Sequence, residues 1–136
     1  MSHKLKIATI LPYKENYTFD KAQAAAIWVC DFFKFSKFKD DNFIYGNTKG
    51  TDYLTKNYIN INISNLKSKF SSSTSEYCKN FIKKTKNINF DIIEIHNRPL
   101  VFNYLKKEID SKYILYFHND PLSMNGSKSI NERLKL

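Results

Sequence analysis

Two apolar runs, separated by one helix-length of chain, end the same way, and this repetition constrains the fold more than any other feature. From Asp91 the chain reads D-I-I-E-I-H-N-R-P, and from Tyr113 it reads Y-I-L-Y-F-H-N-D-P. Ile92–Ile95 and Ile114–Phe117 have the length and composition of buried strands. Between them, Leu100, Val101, Tyr104, Leu105 and Ile109 recur at helical spacing and mark one face of a helix. A strand–helix–strand unit of about thirty residues makes its two strands parallel. Parallel strands open their C-terminal ends on the same sheet edge, which is where open α/β sheets bind ligands. Both His-Asn pairs are therefore expected at one rim.

The upstream chain extends this unit. Leu5–Leu11 is apolar on both faces after Lys6 and ends at Pro12, as a central first strand does. A polar loop, Tyr13 to Phe19, follows. Asp20 with Gln23 reads as a capping box that opens a helix whose inward face is Ala22, Ala25, Ala26, Val29, Cys30 and Phe33. Trp28, Phe32 and Phe35 fall off that face and predict a second contact surface. Asp41–Asn47 and Tyr58–Ile63 read as the second and third strands. Only about ten residues separate them, near the lower limit for a parallel crossover. The third strand is therefore expected as an antiparallel edge, or as a strand reached through one helical turn. Ser64–Ser75 reads as a mobile loop. Ser73 with Glu76, and Ser129 with Glu132, read as capping boxes of two further helices, the first carrying Tyr77, Cys78, Phe81, Ile82 and Thr85 inward. The alternation implies an α/β, Rossmann-like, doubly wound and mostly parallel sheet of about five strands, order 3-2-1-4-5. The loops Tyr13–Glu15, His96–Arg98 and His118–Asp120 then meet at the switch point between the first and fourth strands.

A chain of 136 residues suits one domain with one core. The net charge of +9 is compatible with a solvated surface, an anionic membrane surface or an anionic substrate. Nucleic acid is not expected as a partner, because the lysines are spread along the chain and no aromatic-basic platform recurs. Cys30 and Cys78 lack metal spacing and read as buried free thiols of a reducing compartment. No apolar run approaches the ~20 residues that span a bilayer, and Met1–Lys4 lacks a signal-peptide core. These features predict a cytoplasmic protein, at most peripheral to the inner face of a membrane. No cofactor is expected, since Pro12–Asp20 contains no glycine to bring backbone around a pyrophosphate. No metal is expected either, for want of a third convergent ligand.

At the rim, His118 can exchange hydrogen bonds with a bound hydroxyl group, or simply cap a neighbouring backbone group. Asp120 can orient His118 or accept a proton, or can form the Asx turn common before proline. These two are the catalytic candidates. Lys14, Glu15, His96, Asn97, Arg98 and Asn119 are the substrate-binding candidates. Arg98 offers a fork of donors to phosphate or carboxylate, but also precedes a helix that begins at Pro99.

The run D-I-I-E-I-H-N-R-P, followed by I-L-Y-F-H-N-D-P-L-S-M-N-G-S-K-S-I-N-E-R, resembles the N-terminal domain of GT-B fold glycosyltransferases. It is most similar to the bacterial hexosyltransferases that build lipopolysaccharide cores and related surface glycans. The A-T-I-L-P start and the N-F-I-Y-G-N strand fit as well. The resemblance covers essentially the whole chain and is most specific over Asp91–Arg133. It implies retaining transfer of a sugar from a nucleotide sugar to an acceptor hydroxyl, with His118 beside the donor sugar. Residues 1–136 would form the acceptor-side domain alone. The nucleotide-sugar donor would engage only through a missing domain or a partner chain, and the isolated chain is expected not to hydrolyse donor. The flank facing that missing domain is expected to be apolar and covered by a homodimer. The family's glycine pair after the first strand is replaced here by Tyr13-Lys14-Glu15-Asn16. The alternative is a non-catalytic carbohydrate- or nucleotide-binding module.

Overall fold

The computed structural model describes residues 4–64 and 72–136. Five strands form one sheet: β1 (Ile7–Ile10), β2 (Asn42–Gly46), β3 (Tyr58–Asn60), β4 (Ile92–His96) and β5 (Lys112–Tyr116). Their order is β3-β2-β1-β4-β5, and every neighbouring pair is parallel. This is the doubly wound α/β arrangement implied by the sequence, with β1 and β4 adjacent at the switch point.

The strand β3 lies at the edge as expected, but it runs parallel to β2. Residues 47–57 make the crossover without a helix of their own. Side chains hold that short connection in place. Tyr17 is fully buried, stacks on Tyr58 at 4.9 Å and donates its amide N–H to the Thr48 hydroxyl oxygen. The Thr48 amide in turn donates to Asn60 Oδ1. A turn-rich segment pinned this way can replace the helix a parallel crossover usually needs.

Helices cover the two faces unequally. Strand alternation sends Ile44 to one face and Tyr45 to the other. Helix α1 (Ala24–Phe35) packs Ala26, Val29 and Cys30 on the Ile44 face, with Leu11 and Tyr17. Helices α2 (Ser73–Thr85) and α3 (Pro99–Glu108) share the Tyr45 face, where Tyr77, Phe81, Val101 and Leu105 close over Ala8, Ile10, Ile93 and Ile95. Tyr77 also donates to the Leu11 carbonyl, tying α2 to the end of β1. With one helix for five strands, the α1 face leaves Ile114 and Tyr116 of β5 partly exposed. A fourth helix, α4 (Ile130–Arg133), is short and begins at the capping box expected from Ser129 and Glu132.

The other two capping expectations need correction. The N-cap of α1 is Gln23, which makes no side-chain bond there, and neither Asp20 nor Gln23 closes a box. Glu15 from the preceding loop accepts the Ala26 amide instead, at 3.1 Å. Helix α2 is capped one residue early, by Ser72 accepting from Ser75, and Glu76 reaches the Ser64 amide. On α3 the buried residues are Pro99, Val101, Phe102 and Leu105, while Leu100 turns outward and is 45% exposed. Most of the loop expected over Ser64–Ser75 lies outside the described residues. Both cysteines are free and buried, as expected; burial pushes the Cys78 thiol up to about 12. No described helix is long and apolar enough to cross a membrane.

Candidate functional site

The ends of β4 and β5 are adjacent, in register from Ile92↔Lys112 to His96↔Tyr116. That register brings the two histidines together. His96 Nδ1 lies 2.7 Å from His118 Nε2, and His96 Nε2 lies 2.6 Å from Glu94 Oε1. Glu94 and His96 are two residues apart in a strand and therefore share a face. His118 continues the Ile114–Tyr116 face of β5, so all three side chains meet on the α1 side of the sheet. His96 is completely buried and Glu94 is largely covered.

Trp28 of α1 is the lid of this cluster. Its ring lies 5.2 Å from His118, 5.7 Å from His96 and 4.7 Å from Tyr116, and it stacks on Phe32. The aromatic cover withholds water from a row of titratable groups. Burial lowers the His118 pKa from its usual value, and the neighbouring His96 adds to the effect, against a smaller opposing pull from Glu94.

Asn97 joins the two strand ends. Its backbone is left-handed, with φ of 53°, a conformation asparagine tolerates better than most residues. Its amide donates to the Tyr116 carbonyl at 2.8 Å, and its side-chain oxygen accepts the His118 amide at 2.7 Å. This turn breaks the strand alternation, so the residues after it point away from the histidines. The Arg98 guanidinium donates to the Asn97 carbonyl and lies over the Tyr13 ring at 5.5 Å. Glu15 sits between the regions: partial burial raises its pKa, opposed by the Ala26 amide and by the charges of Arg98 and His96.

On the other side of the strand ends is an open cleft of about 460 Å³. The start of α2, the start of α3 and the loop after β5 form its walls, through Thr74, Leu100, Ser123, Met124 and Asn125. Asn97, Asn119 and Tyr13 supply amide and hydroxyl groups, and Lys14, Arg98 and Lys128 supply three cations, with no carboxylate among the described lining residues. Gly126 shapes one wall: its φ is +94°, and a Cβ there would stand 2.9 Å from the Leu100 side chain.

The eight residues singled out from sequence thus divide into three groups. His96 and His118 are in direct contact, with His96 acting on Glu15 through space. Lys14, Asn97, Arg98 and Asn119 line the cleft. Asp120 accepts the Leu122 amide at 3.0 Å and caps the short 3-10 turn Pro121–Ser123, the Asx-turn use of an Asp-Pro pair. Sequence reasoning missed Glu94 and the role of Trp28. Glu94 carried a signal: a carboxylate inside an apolar strand, two residues before a histidine on the same face. Trp28 carried a partial one: it falls off the inward face of α1 and so predicted a second contact surface, but only the packing angle of α1 brings it over β5. Among the described residues, no group of three or more His, Cys, Asp and Glu side chains could hold a metal ion. Comparison with protein-family models, curated proteins and solved structures returns no match, so the site's own chemistry carries the functional reading.

Proposed function

We propose that this domain is the acceptor side of a glycosyltransferase-like protein, holding a glycan acceptor that bears a phosphate or carboxylate group. The observation that carries this reading is the cleft at the switch point, with its amide and hydroxyl lining and three cations. Side-chain amides donate and accept at once, as the hydroxyls of a sugar ring require. Arg98 is positioned by Tyr13 and the Asn97 carbonyl, and an ordered guanidinium suits forked recognition of an oxyanion. The likeness of Asp91–Arg133 to the acceptor domains of surface-glycan hexosyltransferases supports the same assignment.

The test is an amide-resolved NMR titration of the full chain with neutral hexoses, hexose phosphates, hexuronates and nucleotide sugars. Anionic sugars are expected to shift Asn97–Val101 and Asn119–Lys128 more strongly than neutral ones, and to lose affinity as salt rises. Arg98→Ala is expected to weaken that binding roughly tenfold, as the loss of one charge-assisted contact. Lys128→Ala is expected to weaken binding several-fold while changing stability by no more than about 0.5 kcal/mol. Tight binding of nucleotide sugars, with no response to the simple anionic sugars, would overturn the acceptor assignment.

A further inference from the structure

With His96 taken as neutral, the hydrogen bonds from Glu94 to His118 assign each proton to one atom. A carboxylate only accepts, so His96 must donate to Glu94 through Nε2. A neutral imidazole with its proton on Nε2 has a lone pair on Nδ1. His118 must then donate to that lone pair through its own Nε2. The remaining nitrogen, His118 Nδ1, is left with a free lone pair on a half-exposed ring, and no described residue bonds to it. The ring cannot readily turn away from this arrangement. Trp28 meets it edge-on, Tyr116 lies 4.9 Å away, and Asn97 holds the His118 backbone.

We propose that Glu94, His96 and His118 form a proton-accepting chain, in which His118 Nδ1 is the base offered to a carbohydrate hydroxyl and His96 and Glu94 are positioning residues. A proton arriving at His118 Nδ1 forms a new N–H bond there. The His118 Nε2–H bond can then break as a His96 Nδ1–H bond forms, which returns His118 to neutrality. The positive charge ends on His96, 2.6 Å from the Glu94 carboxylate. The titratable groups facing His118 are Glu94 and His96 from β4 and Tyr116 from β5, with His96 acting in turn on Glu15 in the loop after β1. Carbohydrate as the source of the hydroxyl rests on the acceptor assignment above and requires an acceptor that extends from the cleft over the strand ends to the α1 side, since His118 does not line the cleft; the proton arrangement itself does not.

The chain has only three histidines, His3, His96 and His118, so imidazole nitrogens can be assigned in the ¹⁵N-labelled full-length protein by long-range proton–nitrogen correlation. The expected result at neutral pH is a protonated Nε2 and a lone-pair Nδ1 on His118. In Glu94→Ala, His96 loses its constraint and both tautomers should populate at His118. Glu94→Gln keeps the shape but removes the charge that pulls the His118 pKa upward, so His118 should titrate lower. Trp28 is the sole tryptophan, and its fluorescence should report the same His118 titration and lose it in His118→Gln. A proton on His118 Nδ1 in the wild-type protein, or a His118 titration unmoved by Glu94→Gln, overturns the chain. If the tautomers are as stated but cleft-binding sugars leave the His118 signals unmoved, the chain stands and the carbohydrate hydroxyl is refuted as its partner.

Discussion

The two sides of the same strand ends are built on opposite principles. On the α1 side, Glu94, His96 and His118 form a row of hydrogen bonds under Trp28, with His96 fully enclosed. On the other side, Lys14, Asn119 and Lys128 stand exposed around an open cleft. The first arrangement strengthens electrostatic coupling by excluding water, and every member constrains the next. The second leaves its charges solvated, so they attract an anion at little cost to the fold. One residue separates them. Asn97 belongs to both, clamping His118 through its side-chain oxygen while its left-handed backbone directs Arg98 and α3 to the cleft. Orientation and attraction are therefore assigned to different faces of one sheet edge.

Asn97 is the place to break this division. Asn97→Ala should destabilise the protein by about 3 kcal/mol, combining the left-handed backbone penalty with an unpaired His118 amide. Asn97→Gly relieves the backbone but not the amide, and should cost about half as much. Urea unfolding measures both, and equal losses would show that the positive φ contributes nothing.

A smaller effect is expected at Glu15, which caps α1 beneath the enclosed side. Glu15→Ala should cost about 1 kcal/mol, as for other lost N-terminal caps. Glu15→Gln retains an acceptor for the Ala26 amide and should cost less. Because the folded-state pKa of Glu15 is raised, wild type should lose some stability as pH rises through it, and the Gln variant should not.

The smallest effect is a pH slope from His118. Its folded-state pKa is depressed, so below about pH 6.5 the unfolded chain binds more protons than the folded one. Stability should be full above that pH and decline as pH falls towards the folded-state value. His118→Gln should flatten this slope, while Lys14→Ala across the edge should leave it unchanged. Thermal unfolding between pH 5 and 8 would show both.

Much of this architecture was legible in sequence because its signals are local. The doubled His-Asn endings, the apolar runs and the helical spacing of Tyr77, Cys78 and Phe81 required no knowledge of the rest of the chain. The N-terminal end of α1 was not legible, since its cap comes from Glu15, eleven residues before the amide it serves. Nor was the direction of β3. A short crossover favours an antiparallel return on length alone, and Tyr17, packed from elsewhere against Thr48 and Tyr58, reverses that preference. Asp120 shows the converse: its two uses were equally readable, and the local turn is the one adopted.

The sequence by itself determined that two histidines end neighbouring parallel strands, because strand periodicity and the βαβ connection leave few alternatives. Only the tertiary structure decided that they touch, that Glu94 completes the row and that Trp28 covers it. Contact at 2.7 Å depends on strand register and on the angle at which α1 crosses the sheet. Both are settled by packing summed over the whole core, which no local pattern encodes.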